Sequence, residues 1–181
     1  MGKLIYIEEG RRRIAARKGF DPWGRRFGTF FDENTSIRGL EDPVIKYLAN
    51  GKEGSSAAFY DFIMGIKGLG HAPHFHHLDS KSKMGLTNVT IFLLDLVRFE
   101  AMYRLGWIED YPFLNIALVD LVQTFQDQFA AARHKPPSLS KAHPLYPKYS
   151  AQLESDRPAF IRKLIPEVIK TFCATEDDLV T

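Results

Sequence analysis

The chain has 181 residues, 45% of them apolar and 25% charged, with a formal net charge of +2. That balance fits one globular domain over residues 1–181 and excludes a wholly disordered chain, which would be less apolar and more highly charged. A single cysteine, Cys173, excludes any disulfide within the chain. It follows Phe172 in an apolar stretch and reads as a buried, inert thiol. The apolar start is too short for a signal peptide, and the longest apolar run, Ile91 to Val97, is broken by Asp95. No membrane span is expected, and the cytoplasm is the default compartment.

In chain order, a first helix is expected from about Lys3 to Lys18, although Leu4 to Ile7 also reads as a short strand with no evident partner. Residues 1–26 form a basic arm of net charge +5, packed on or flanking the domain. Glu8 and Glu9 are spaced to pair forward with Arg12 and Arg13. The arm could neutralise phosphates, with Trp23, Phe27 and Phe30 close enough to stack on bases. Every recognised nucleic-acid signature is missing, so this reading ranks below a solvated helix. The glycine-, proline- and aromatic-rich run from Gly19 to Phe31 has no clear period. It is expected to be an ordered loop whose rings pack onto the helical body.

Asp42-Pro43 signals a short helix ending near Gly51, and Ala57 to Lys67 a second, stopped by Gly68. Four of the six histidines then fall together: His71, His74, His76 and His77, followed by Asp79. Imidazole and carboxylate are ligands for zinc, nickel or iron, and a loop can turn several of them toward one ion. The competing reading gives these residues turn-shaping and capping duties. A catalytic centre would need further groups, with Asp61, Asp120, Asp127, His134 and His143 as the candidates.

A long apolar helix is expected from about 80 to 105, stopped by Gly106, and a second from about 111 to 133. The short loop between them makes them antiparallel neighbours. Asp95 and Arg98 are expected to form an ion pair within the first, with Glu100 and Arg104 a second pair on another face. Asp120, Gln123 and Asp127 read as the wet face of the second. A last helix, Arg157 to Ala174, carries Pro166 inside it and should kink or break there.

The fold class that follows is all-α, an irregular bundle around the 80–105 and 111–133 helices. No phosphate-binding glycine loop, nucleophile elbow or paired-histidine helix motif is present. The leading reading is a non-enzymatic binding or regulatory module, associating with itself or another protein. The alternative is a metal-binding protein or metal-dependent enzyme using the His71–His77 loop.

Overall fold

The computed structural model describes residues 2–125 and 136–173. It is all-α, with eight α-helices and no strand among the described residues. The helices are α1 (Gly2–Phe27), α2 (Asp42–Ala49), α3 (Glu53–Lys67), α4 (Ser80–Arg104), α5 (Leu118–Thr124), α6 (Tyr146–Ser150), α7 (Arg157–Lys163) and α8 (Ile165–Phe172). The two long ones, α1 and α4, are joined through α3, which packs along both. A single apolar cluster runs from Ala15 on α1 to Phe172 on α8. No described helix is long and apolar enough to cross a membrane.

The first helix does not stop at Lys18. It continues through the expected loop to Phe27, with Pro22 inside it. Most of the rings pack inward as expected, Trp23 fully enclosed and Phe20 nearly so, but Phe30 does not and is 86% exposed. Their spacing suits a helix, because Phe20, Trp23 and Phe27 follow one another at three and four residues and so share a face. They stack against Phe31, Phe59 and Phe62 with ring centroids 4.6–6.4 Å apart. The Trp23 indole N–H donates to the Ala58 carbonyl at 2.8 Å, which satisfies its one polar group in the dry core. Leu4 to Ile7 is helical, not extended.

The crossing of α1 and α3 depends on two glycines. A Cβ on Gly65 would lie 2.5 Å from the Lys18 carbonyl oxygen, and one on Gly19 would lie 2.8 Å from Ile66. Lys18 is four residues before Pro22, so proline leaves its carbonyl without the usual helical donor. The backbone itself is the contact surface there.

The short helices follow most of the sequence signals, although α3 begins at Glu53, four residues before Ala57. Gly68 takes the left-handed conformation that ends α3, at φ 68°. Asp42 stands in the first turn of α2, but its carboxylate accepts from Arg104 at 2.5 Å and caps nothing. Of the kink or break expected at Pro166, the chain makes a break: α7 ends at Lys163, Leu164 intervenes, and Pro166 falls in the first turn of α8.

The helix expected from about 111 begins later, at Leu118. Phe113 adopts φ 65°, a left-handed conformation that a helix cannot contain. Tyr111 is drawn inward toward Glu100, and the Leu118 N–H donates to the Thr35 carbonyl at 2.8 Å. Tertiary bonds thus hold 111–117 in turns. The remainder of the expected 111–133 helix lies outside the described residues, as does the acidic end.

Candidate functional site: the amino-terminal helix and the histidine loop

The basic arm and the histidine loop, distant in the sequence, lie side by side. Residues 72–77 form a short 3-10 helix between α3 and α4. Two contacts pin it to α3. The Ala72 N–H donates to Asp61 Oδ1 at 2.7 Å, and the Phe75 ring stacks on Tyr60 at 4.6 Å, nearly parallel. The four imidazoles stay exposed.

His71 borders two adjoining clefts. One, of about 560 Å³, is lined by Ile14, Arg17, Lys18 and Asp21 of α1 facing Gly65, Gly68 and Gly70. The other, of about 520 Å³, lies against Pro22, Arg25, Arg26 and Asp61. Several of these charges are already engaged. Arg25 binds Asp21, and Arg26 donates to the Tyr47 hydroxyl at 2.6 Å. Arg17 and Lys18 have no ion pair among the described residues.

Three of the five candidate metal ligands, Asp79, His71 and His74, make local contacts of their own. Asp79 caps α4, with its carboxylate accepting from the Ser82 N–H at 2.9 Å and the Ser82 hydroxyl at 2.8 Å. Those two bonds hold the Asp79 carboxyl below the usual range. His71 and His74 have ring centroids 6.3 Å apart, and His74 Nδ1 accepts the His71 backbone N–H at 3.1 Å. Among the described residues no group of three or more His, Cys, Asp or Glu is placed to hold a metal ion. His143 packs on Trp107 at 5.0 Å, and Nδ1 accepts the Leu145 N–H. Partial burial pushes its imidazole down. Asp127 and His134 lie outside the described residues.

The arm's own pairing differs from expectation. Arg12 makes a two-pronged bond to Asp120, both prongs 2.9 Å, and Arg13 reaches Glu33 at 3.0 Å. Long-range acceptors win because α1 lies against those segments, whereas pairing along the helix leaves both partners in water. Glu8 and Glu9 consequently have no ion pair among the described residues. Asp120 is therefore a structural anchor for α1, and not part of a free acidic face.

Most revealing is the amino-terminal end of α1. Leu4, Ile5, Tyr6 and Ile7 are exposed by 68%, 57%, 76% and 53%. Ile14 is 58% exposed. Leu4, Ile7, Arg11 and Ile14 follow one another at three- and four-residue steps, which makes one face turned away from the buried side of α1. Apolar exposure at this density marks an interaction surface more often than an idle one.

The deepest polar group of the described residues is elsewhere and is closed. Glu100, 1% exposed, has Oε1 bound to Arg104 at 2.8 Å, while Oε2 accepts the Tyr111 hydroxyl and faces Arg38 at 3.4 Å. Arg38 also stacks over Tyr103 at 3.8 Å. Arg104 donates further to the Leu40 carbonyl at 2.7 Å. Both carboxylate oxygens are occupied, so this cluster ties α4 to the turn before α2 and to residue 111. The Glu100–Arg104 spacing was legible in the sequence; the roles of Arg38 and Tyr111 were not. Asp95 departs from expectation too: it pairs with Arg162 on α7 at 3.0 Å, while Arg98 donates to the Ala49 carbonyl at 3.1 Å. Burial pushes the Arg98 guanidinium down, against the pull of Asp95. Cys173 is half-buried, its thiol donates to the Lys46 carbonyl, and burial raises it.

Tyr111 gives this cluster a pH signature. Burial, and then the bond to Glu100, raise its phenol far above the ordinary value of 10.0. The unfolded phenol ionises near that value, so the folded state retains a proton the unfolded state loses. The resulting stability is whole below about pH 10 and declines as pH rises beyond it. Urea titrations between pH 8 and 11 should show that decline, and Tyr111→Phe should lack the phenol's share of it. Parallel curves for the two proteins would refute it.

No family model, curated protein or solved structure matches this chain, so its function has to be read from its own surface.

Proposed function

We propose that this protein is a non-enzymatic binding module that associates with a second copy of itself through the amino-terminal turns of α1. The observation that carries this reading is the exposed run Leu4 to Ile7 on a helix whose other half is anchored in the core. Burying such side chains is worth about 1.5–3 kcal/mol each, a large gain for a surface that otherwise faces water.

The charge pattern favours a second copy over an unrelated partner. Glu8 and Glu9 precede Arg11 on the same stretch, and none of the three is ion-paired among the described residues. Two α1 helices crossing antiparallel about Glu9 bring Glu8 of each within a turn of Arg11 of the other. The same crossing lays Leu4 against the Ile14 region. A two-fold interface is self-complementary in this way.

Light scattering on the purified chain tests the reading. A dimer is expected at about 100 µM, where an association stronger than ~5 kcal/mol populates the complex. Ile7→Lys together with Leu4→Lys should give a monomer with unchanged circular dichroism, since both side chains are exposed in the isolated chain. A parent protein that stays monomeric, or a variant that dimerises as before, would overturn it.

A further inference from the structure

We infer that a separate cleft, between residues 107–110 and the start of α7, binds a zwitterionic small molecule of the free amino-acid class. Its walls are fixed by backbone. Ile108 and Leu139 form an antiparallel bridge, and the Ser140 N–H donates to the Trp107 carbonyl at 2.7 Å. The space between them and α6 is about 390 Å³, within the range of small-ligand sites.

The lining is what selects the ligand. Glu109, Asp110, Lys141, Tyr146, Tyr149 and Arg157 all border the cleft. Two acids and two bases leave it without net charge, which favours a ligand carrying both signs over a simple anion or cation. These groups do not neutralise one another, since neither Glu109 nor Lys141 has an ion pair among the described residues. Arg157 gives Nη2 to the Ser150 carbonyl at 3.2 Å, and its guanidinium sits 5.4 Å from the centre of the Tyr149 ring. Its Nε is buried with no acceptor. A buried N–H without a partner is costly, and a ligand carboxylate supplies the missing acceptor.

Arg157 and Lys141 would hold the carboxylate, and Glu109 with Asp110 the ammonium group. The rings of Tyr146 and Tyr149, 6.0 Å apart, would cover the remainder of the molecule. An apolar ligand would leave Glu109, Lys141 and the Arg157 Nε without a partner. This site is independent of α1 self-association, because none of its residues belongs to that helix.

Calorimetric titration of the full chain with each of the twenty free amino acids tests the inference. At least one should bind saturably at millimolar concentration or below. Its decarboxylated and deaminated analogues should each bind about tenfold more weakly or worse, as expected for a site built around paired polar groups. Arg157→Leu and the more exposed Lys141→Ala should each weaken it comparably, with circular dichroism unchanged. Lys170→Ala, on the exposed side of α8, should leave affinity intact. No saturable binder in the panel would overturn the inference. So would analogues that bind as well as the parent amino acid, or folded Lys141→Ala protein with unaltered affinity.

Discussion

Glu100→Gln is expected to lower the free energy of unfolding by about 3 kcal/mol, among the largest effects of a near-isosteric change in this molecule. The side chain keeps its volume, so no cavity opens. What is lost is the negative charge on which Arg38 and Arg104 converge. Glu100 is 1% exposed, so water cannot replace it. The amide that results has one acceptor oxygen where the carboxylate had two, and its NH₂ group meets the donors of an arginine or of Tyr111. The exposed Arg25–Asp21 pair provides the contrast: both partners are in solvent, and Arg25→Ala should cost no more than about 0.5 kcal/mol. Urea unfolding of the three proteins decides the matter. A loss below about 1 kcal/mol for Glu100→Gln would mean that the cluster is not the tie between α4 and the α2 turn described above.

Gly65→Ala is expected to cost about 3 kcal/mol, although alanine is the better helix former by about 1 kcal/mol. The added methyl would stand 2.5 Å from the Lys18 carbonyl oxygen, 2.9 Å from its carbon and 3.0 Å from the Gly19 Cα. All three are backbone atoms, so no side chain can swing away. Relief requires α1 to lift from α3, and with it Phe20 and Trp23, which are packed on Phe62. Gly10 is the control. A Cβ there meets nothing within 4 Å, so Gly10→Ala should be neutral or stabilising. Thermal and chemical melts of both variants check the pair. Equal stability for Gly65→Ala and the parent would show that the crossing is looser than its geometry.

The amino-terminal helix shows why some of this was legible in advance and some was not. The aromatics at 20, 23, 27 and 31 announced their burial through their type, since so much ring area is costly in water. Their conformation was hidden by Gly19, Pro22 and Gly24, which locally weaken a helix. Packing against α3 overrides that weakness, and Gly19 is needed there for close approach. Similarly, Asp110-Tyr111-Pro112 has the chemistry of a helix start, yet Tyr111 is worth more bonded to Glu100 than in a first turn. Asp79 carried the residue type of a metal ligand and of a helix cap alike, and the geometry shows the cap.

What the sequence determined by itself was local: the all-α class, the bounds of α2 and α4 to within two residues, the stop of α3 at Gly68, the break at Pro166, and the identity of most of the core. These follow from propensity, capping and apolar periodicity, which act over a few residues. Only the tertiary structure decided which charges meet. Asp95 with Arg162, Arg12 with Asp120, and Glu100 with Arg38 and Tyr111 join elements remote in the chain. The same holds for the histidine loop lying beside the basic helix, and for Lys141 and Arg157 sharing a cleft with Glu109. Electrostatic partners are chosen by distance in space and by burial, and a single sequence records neither.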